Sequence, residues 1–198
     1  MDDTIQKAIE FHGHLCPGLM MGVRAARIAL REIGPHSEGH DVVAIVETDL
    51  CPVDAIQSLT GCTFGKGNLI HRDYGKNAYT FVRRADGKAI RIITRSDGWP
   101  PDSPERQELS EKVQVGTATA AEERRARELQ DERALAILAL PEERLFDVRT
   151  ARIELLARDR GLAAAPCAAC GELTRVTHLH HVDGRMLCGA CREPASIR

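Results

Sequence analysis

Hydrophobic positions along the chain follow two periods, and each period predicts a different element. Apolar side chains between residues 17 and 34 recur at helical spacing and end at Gly34-Pro35. Val42 to Val46 is a continuous β-branched and apolar run, which is typical of a buried strand. Pro52 begins a further apolar helical segment that ends at Gly61. The first third of the chain therefore predicts helices packed against a sheet.

The middle of the chain adds a hairpin and more helices. Two alternating runs, Tyr79 to Val82 and Ile90 to Ile93, flank Asp86-Gly87 and predict a β-hairpin. Thr119 and Glu122 have the spacing of a capping box at the start of a helix. Residues 146–155 fit a strand or a helix equally. Together these segments predict an α+β fold, with an antiparallel or mixed sheet flanked by helices.

Composition and charge narrow the class of protein. Hydrophobic residues make up 43% of the 198 residues and aromatic residues only 4%, so the core must be mostly aliphatic. The formal net charge of −2 predicts no general attraction to nucleic acid or to anionic lipid. The longest apolar run is far shorter than a membrane span, and Met1-Asp2-Asp3 does not resemble a signal peptide. We therefore expect a soluble, cytoplasmic protein.

Four of the seven cysteines form two Cys-x-x-Cys pairs near the end of the chain: Cys167, Cys170, Cys188 and Cys191. This spacing predicts a structural zinc site, in which two knuckles bring four thiolates together. Val182 to Arg185 offers a hairpin turn between the pairs. We predict a zinc ribbon over residues 163–198 and a first domain over residues 1–160, joined through a linker at residues 163–166. Two redox-active pairs are the alternative.

The sequence of the ribbon leaves several functions open. Residues 163–198 carry four arginines and three acidic residues, and such a weak positive charge argues against nucleic-acid binding. Contact with a protein, or dimer formation, fits better. His178, His180 and His181 lie in the expected hairpin. They are either surface histidines or a second metal-binding or pH-responsive patch.

A second group of potential ligands lies near the start of the chain, at His12, His14 and Cys16. On an unbroken helix the two histidines would point apart, but Gly13 allows an extended segment in which the three side chains share a side. Cys16 precedes Pro17 and should cap the next helix, where the helix dipole favours a thiolate. We predict a second metal site here. Cys16 as a nucleophile with His14 as its base is the catalytic alternative.

Two further cysteines and a lysine are candidate cofactor-binding residues. Cys51 precedes Pro52 and repeats the arrangement of Cys16 at a helix start, whereas Cys62 and Lys66 lie in a glycine-rich loop after that helix. The functional interpretation gathers all three cysteines and the histidines around one metal, thiol or cofactor site. The alternative is that they are ordinary buried cysteines. The loop lacks the spacing and the Ser or Thr of a P-loop, although Lys66 could hold an anion.

Taken together, these stretches resemble the FmdE family, which takes its name from formylmethanofuran dehydrogenase. The motifs that carry the resemblance fall roughly within residues 5–95: Phe11–Gly18, Val46–Thr48, Cys51–Gln57, Thr60–Asn68 and Asp73–Lys76. The resemblance implies an α+β core, a separate zinc finger, an intertwined homodimer and association with molybdenum or tungsten enzymes. The histidine-rich hairpin, Thr177–Val182, departs from the family pattern.

Three functional hypotheses follow. The first is an accessory protein for a molybdenum or tungsten oxidoreductase, which binds zinc and either a second metal or a metal-cofactor precursor and docks partners through the finger. The second is a thiol-dependent enzyme with Cys16 as nucleophile. The third is a zinc-finger regulator or metal sensor. A thiolate beside an imidazole suits the first two equally, so the sequence leaves the choice between them open.

Overall fold

A computed structural model describes residues 2–155 and 163–193. The chain divides into two compact units, Met1–Ile153 and Glu154–Arg198. The predicted division at residues 1–160 and 163–198 has its boundary in part outside the described residues and stays a prediction. Among the helices of the described ranges, none is long and apolar enough to cross a membrane.

The first unit mixes helices with a five-stranded sheet, as the α+β prediction requires. Its elements in chain order are α1 (Asp3–His12), α2 (Pro17–Glu32), β1 (Val42–Val46), α3 (Pro52–Thr60), β2 (Leu69–His71), β3 (Ala78–Arg83), β4 (Ala89–Thr94), α4 (Pro104–Gln114), α5 (Ala120–Ala139), α6 (Glu142–Leu145) and β5 (Phe146–Ala151). The strand order is β2-β1-β3-β4-β5. Only β2 runs parallel to its neighbour β1, and the other pairs are antiparallel. The sheet is therefore mixed.

Local sequence signals explain where these helices begin and end. Asp2 caps α1 by accepting hydrogen bonds from the backbone N–H groups of Thr4 and Ile5. The predicted capping box of Thr119 and Glu122 is present at the start of α5. The ambiguous segment after residue 145 forms strand β5, which pairs with β4. Pairing with an existing strand decides between two conformations that the local sequence allows equally.

Helices α1, α2, α3 and α5 contribute to one aliphatic core with the sheet. Its largest fully buried side chains include Met20, Ile28, Ile56, Phe81 and Ile137. Gly22 is essential to this packing, because a Cβ there would lie 2.4 Å from the carbonyl oxygen of Pro52. The close approach of α2 to α3 brings the N-terminal ends of these two helices together. That arrangement positions the candidate site.

The second unit is built from short strands around the four cysteines. Its described elements are β6 (Ala164–Pro166), β7 (Leu173–Arg175), a 3-10 turn (Val176–His178), β8 (Leu179–Val182), β9 (Arg185–Cys188) and α7 (Gly189–Arg192). Strands β8 and β9 form the expected hairpin. The linker predicted at residues 163–166 is wrong, because Ala164–Pro166 pairs with β7. A run of alanines carries no local signal for a strand, so the sequence could not predict this pairing.

Candidate metal centres

The four cysteines of the second unit converge on one point. The sulfurs of Cys167, Cys170, Cys188 and Cys191 all lie within 4.8 Å of one another. Cys170 Sγ and Cys188 Sγ are 4.0 Å apart, close to the ~3.8 Å expected between thiolates that share a zinc ion at ~2.3 Å. The cluster can therefore hold a tetrahedral metal ion, as the spacing predicted.

Backbone hydrogen bonds prepare one of these thiols for ionisation. The N–H groups of Ala169 and Cys188 donate to Cys167 Sγ at 3.4 and 3.3 Å. Hydrogen bonds from the backbone of Cys170, Cys188 and Ala169 lower the pKa of Cys167 to about 6. The adjacent thiols of Cys188 and Cys170 instead raise the pKa of Cys191 to about 12. Four sulfurs at this distance need a cation before all can ionise together.

The first unit contains the second cluster. Helix α1 ends at His12 because Gly13 adopts a left-handed conformation with φ 95°. The chain then turns so that ligand atoms of His12, His14 and Cys16 lie within 4.8 Å of one another. The ring centroids of the two histidines are 4.5 Å apart. The structure thus brings together the three residues that the sequence analysis grouped.

Cys16 caps α2, as predicted, but its acidity is opposite to the prediction. Its sulfur accepts a hydrogen bond from the N–H of Leu19 at 3.3 Å. The side chain is nevertheless buried, and burial raises the pKa of Cys16 to about 11, with the neighbouring Cys51 thiol adding to the effect. The removal of water outweighs the helix dipole here. Without a cation, Cys16 is a neutral thiol at pH 7.

An aspartate that the sequence analysis overlooked completes the cluster. Asp54 Oδ2 lies 2.7 Å from His12 Nδ1, and His12 Nε2 lies 3.7 Å from Cys16 Sγ. A carboxylate behind Nδ1 fixes the imidazole tautomer and leaves Nε2 facing the sulfur. Asp54 belongs to the first turn of α3, three residues after Cys51, and that spacing was the available signal. His12, rather than His14, is the hydrogen-bond partner of Cys16.

The donors of this cluster fit a metal ion. Two imidazoles and a thiolate are ligands that zinc and similar ions accept, and three protein ligands leave a coordination position open. Cys51 lies beside the cluster, at the N-terminal end of α3, and packs against Gly18 of α2. A Cβ on Gly18 would lie 3.1 Å from Cys51 Cβ. This tight contact between helix starts sets the position of both cysteines.

Cys62 and Lys66 do not join the cluster. They follow the opposite end of α3, and the nine residues of this helix separate the two ends by about 14 Å. Cys62 Sγ donates to the carbonyl of Val42 at 3.5 Å, deep in the core. Lys66 Nζ donates to the carbonyl of Ser37 at 2.7 Å. Both residues help to hold the glycine-rich loop against its neighbours. The prediction of a single site for all three cysteines is therefore wrong, because Cys62 lies apart from Cys16 and Cys51.

A cavity of about 580 Å³ opens beside His14. Its wall combines His14 and Leu15 with residues of helices α4 and α5, among them Arg106, Val113, Arg127 and Asp131. Arg106 is held by an ion pair with Asp102. The volume lies within the ~300–1,000 Å³ range of small-molecule sites. The cavity therefore offers room for a small molecule beside His14, one of the three potential ligands.

Comparisons with known proteins give a family match and a shared fold. The sequence model described as "FmdE, Molybdenum formylmethanofuran dehydrogenase operon" matches residues 11–147. A protein of Archaeoglobus fulgidus named "Probable S-adenosyl-L-methionine-binding protein" is 37% identical over an alignment of 192 residues, and the match covers 93% of this chain. The chain spans 51% of that relative's length. A protein of Syntrophus aciditrophicus described as tungsten formylmethanofuran dehydrogenase FmdE-like has the same fold, with a TM-score of 0.58 and 23% identity, over 97% of this chain and 92% of that one.

Proposed function

The chain belongs to the FmdE family, and on that premise we propose that it is a metal-binding accessory protein for a molybdenum or tungsten oxidoreductase. The observation that carries the proposal is the convergence of His12, His14 and Cys16, with Asp54 behind His12. An open three-ligand site can accept and release a metal or a metal-cofactor precursor. A closed four-cysteine site cannot do so without unfolding.

The chain's own residues have distinct roles in this proposal. His12 and His14 would supply imidazole nitrogens, and Asp54, hydrogen-bonded to Nδ1 of His12, would leave Nε2 as the ligand atom. Cys16 supplies the sulfur, and a bound cation would displace its proton. When present, the metal would supply Lewis acidity or a cargo for transfer. We further propose zinc as the ion of the second unit.

The test is the metal content of the partner enzyme. A tagged full-length chain is expressed in its cells of origin, and the fraction that co-purifies is examined for the catalytic subunit of a molybdenum or tungsten oxidoreductase. Cys16→Ala should lower the molybdenum or tungsten content of that oxidoreductase without removing it from the complex. An oxidoreductase with full metal content in the Cys16→Ala strain would contradict the proposal.

We also propose that the ribbon docks the partner. Leu173 and Met186 expose apolar side chains on it, with Leu173 78% exposed. Exposed apolar side chains on a small domain favour protein contact. Leu173→Lys should therefore reduce co-purification of the oxidoreductase. The matched control is Thr177→Lys, which adds the same charge at another exposed position and should have no effect.

The homodimer implied by the family is part of the same proposal. A core with few aromatic residues gains stability from burial across an interface. Sedimentation velocity of the full chain at micromolar concentration should give the mass of two chains. A monomer over that range would remove this part of the proposal.

A second candidate function is thiol chemistry, favoured by the order Cys16, His12, Asp54. The distances of 3.7 and 2.7 Å arrange a thiol, an imidazole and a carboxylate in line, as in cysteine nucleophiles with an oriented base. In this function His12 takes the thiol proton. Metal-free protein that labels at Cys16 with an electrophile, and loses labelling in both His12→Ala and Asp54→Asn, would favour it.

The cavity beside His14 gives a reason to test one ligand. A relative at 37% identity carries a name that mentions S-adenosyl-L-methionine, and the cavity volume of about 580 Å³ suits a nucleoside-sized molecule. Equilibrium dialysis of the full chain with S-adenosyl-L-methionine tests it. Binding that weakens in Asp131→Asn places the ligand in this cavity, and no binding at millimolar ligand rejects it.

A further inference from the structure

A second cavity in the first unit has a different electrostatic character. It has a volume of about 280 Å³, lies where β3 begins and β4 ends, and shares no described lining residue with the cavity beside His14. Three basic side chains line it: Lys76, Arg91 and Arg95. None of its described lining residues is acidic. Like charges gathered around one cavity repel each other and attract an anion.

Two of the basic side chains are positioned by carboxylates outside the cavity. Glu47, which is buried, binds Arg91 through two hydrogen bonds from the guanidinium. A guanidinium has five N–H donors, so this fork leaves donors for a further partner. Arg95 Nε donates to Asp97 at 3.2 Å, on the exposed side. These pairs orient the guanidinium groups and neutralise two of the three charges.

Lys76 supplies the charge that remains. It follows Gly75, whose φ of 62° makes the turn before β3, and its N–H donates to the carbonyl of Glu47 at 2.9 Å. Within residues 2–155 and 163–193 its ammonium group has no ion-pair partner. Lys76 belongs to the Asp73–Lys76 motif, to which the metal cluster gives no role. Lys76 is therefore an exposed lining residue of the cavity on a hydrogen-bonded backbone.

Buried hydroxyl groups add a second, independent observation. Thr94 is one of the residues that line the cavity, and its hydroxyl is buried behind the cavity wall. The hydroxyl of Tyr79 on the adjacent strand interacts with that of Thr94, and neither group makes a hydrogen bond of ordinary geometry within residues 2–155 and 163–193. Unsatisfied buried hydroxyls are rare in native proteins, because each costs free energy unless a partner is bound. A ligand with several acceptor oxygens would satisfy Thr94.

We propose that this cavity is a binding site for a tetrahedral dianion. The ligand is either a free oxyanion, such as phosphate or a metal oxyanion of the same shape, or the phosphate group of a small molecule. Lys76 provides a charge-assisted hydrogen bond, Arg91 and Arg95 provide further donors, and Thr94 donates its hydroxyl proton. Trp99 forms part of the wall and would pack against any ring that the phosphate carries.

The single tryptophan makes the test direct. Trp99 is the only tryptophan of the chain and lines this cavity, so its fluorescence reports occupancy. The full-length protein is titrated with inorganic phosphate, molybdate and adenosine monophosphate at fixed ionic strength, with chloride as the reference. We expect saturable fluorescence changes with a dianion. Equal affinities for phosphate and molybdate would indicate that the ligand is a free oxyanion. A higher affinity for adenosine monophosphate would indicate a phosphorylated small molecule.

Matched variants separate this site from the metal cluster. Lys76→Met should weaken binding by about tenfold or more, as the loss of a charge-assisted hydrogen bond does. Lys7→Met removes the same charge from an exposed position of α1 and should leave the affinity unchanged. Cys16→Ala should also leave it unchanged. No saturable response to any dianion at millimolar concentration, or equal effects of Lys76→Met and Lys7→Met, would overturn the proposal.

Discussion

The two clusters of cysteine and histidine differ in how the chain prepares them for a metal ion. In the second unit the chain supplies four sulfurs, and backbone N–H groups hold the pKa of Cys167 at about 6. In the first unit it supplies two imidazoles and one buried thiol, whose pKa rises to about 11. The first unit also has an extensive aliphatic core of its own.

This difference indicates different purposes. A unit of some 45 residues with short strands has little apolar core, so we propose that its four potential ligands serve stability. The first unit has an extensive core of its own, so we propose that its cluster could bind and release an ion without loss of structure. Asp54 and the cavity beside His14 are features of a site that handles a ligand.

The largest expected effect concerns the second unit. Cys170→Ser should release its metal ion and unfold residues 163–193, because zinc contributes on the order of 10–16 kcal/mol to small thiolate sites. Amide hydrogen exchange would show full loss of protection there and none in residues 2–155. Cys16→Ser is the control and should leave the protection of residues 163–193 unchanged. Retained protection in Cys170→Ser would show that the ribbon does not depend on metal.

The second effect concerns thiol reactivity in the metal-free protein. Because burial raises the pKa of Cys16 to about 11, its thiolate fraction at pH 7 should be about a hundredfold or more below that of a free thiol with a pKa of ~8.5. We therefore expect Cys16 to be alkylated slowly at pH 7 and faster as the pH rises toward 11. Mass spectrometry of iodoacetamide-treated protein measures the rate. Alkylation faster than that of glutathione would restore the nucleophile interpretation.

A third experiment disrupts the close packing of helix α2 against helix α3. Gly22→Ala places a Cβ against the backbone of Pro52, and such overpacking costs about 1–3 kcal/mol. Urea unfolding of the first unit should show the loss, and metal affinity of its cluster should fall, since Cys16 and Cys51 sit on these helices. Gly65→Ala is the matched control, because no atom lies within 4 Å of a Cβ there. Equal stability of the two variants would contradict the packing account.

The smallest effect concerns the carboxylate behind His12. Asp54→Asn keeps the size of the side chain but weakens its hold on Nδ1, and loss of such a partner lowers metal affinity by about 10–100-fold. Competition with a chromophoric chelator measures the affinity of the first cluster. Asp73→Asn, at an exposed position, should bind as the unaltered chain does. An unchanged affinity in Asp54→Asn would show that Asp54 does not support the ligand.

Local sequence determines much of this structure. The cap at Cys16, the capping box at Thr119 and the cysteine quartet depend on residues close together in the chain, so they could be predicted. Strand β2 could not, since its three residues become a strand only by pairing with β1. Strand β6 depends in the same way on β7.

Long-range packing explains the errors at the site. Asp54 lies 42 residues from His12 along the chain and meets it only because α1 packs on α3. Cys62 shares a short segment with Cys51, yet α3 acts as a rigid spacer between them. The acidity of Cys16 depends on its burial, which one helix cap does not reveal. Each error concerns a property that arises after the elements assemble.

The most direct test of two sites with different roles is the metal content of the full-length chain. Elemental analysis of purified, zinc-loaded protein should give about two ions per chain, one for each cluster. Cys16→Ser should retain about one ion per chain with a fully folded second unit, because only the first cluster loses a ligand. A single ion in the unaltered chain, with no change in Cys16→Ser, would contradict the account.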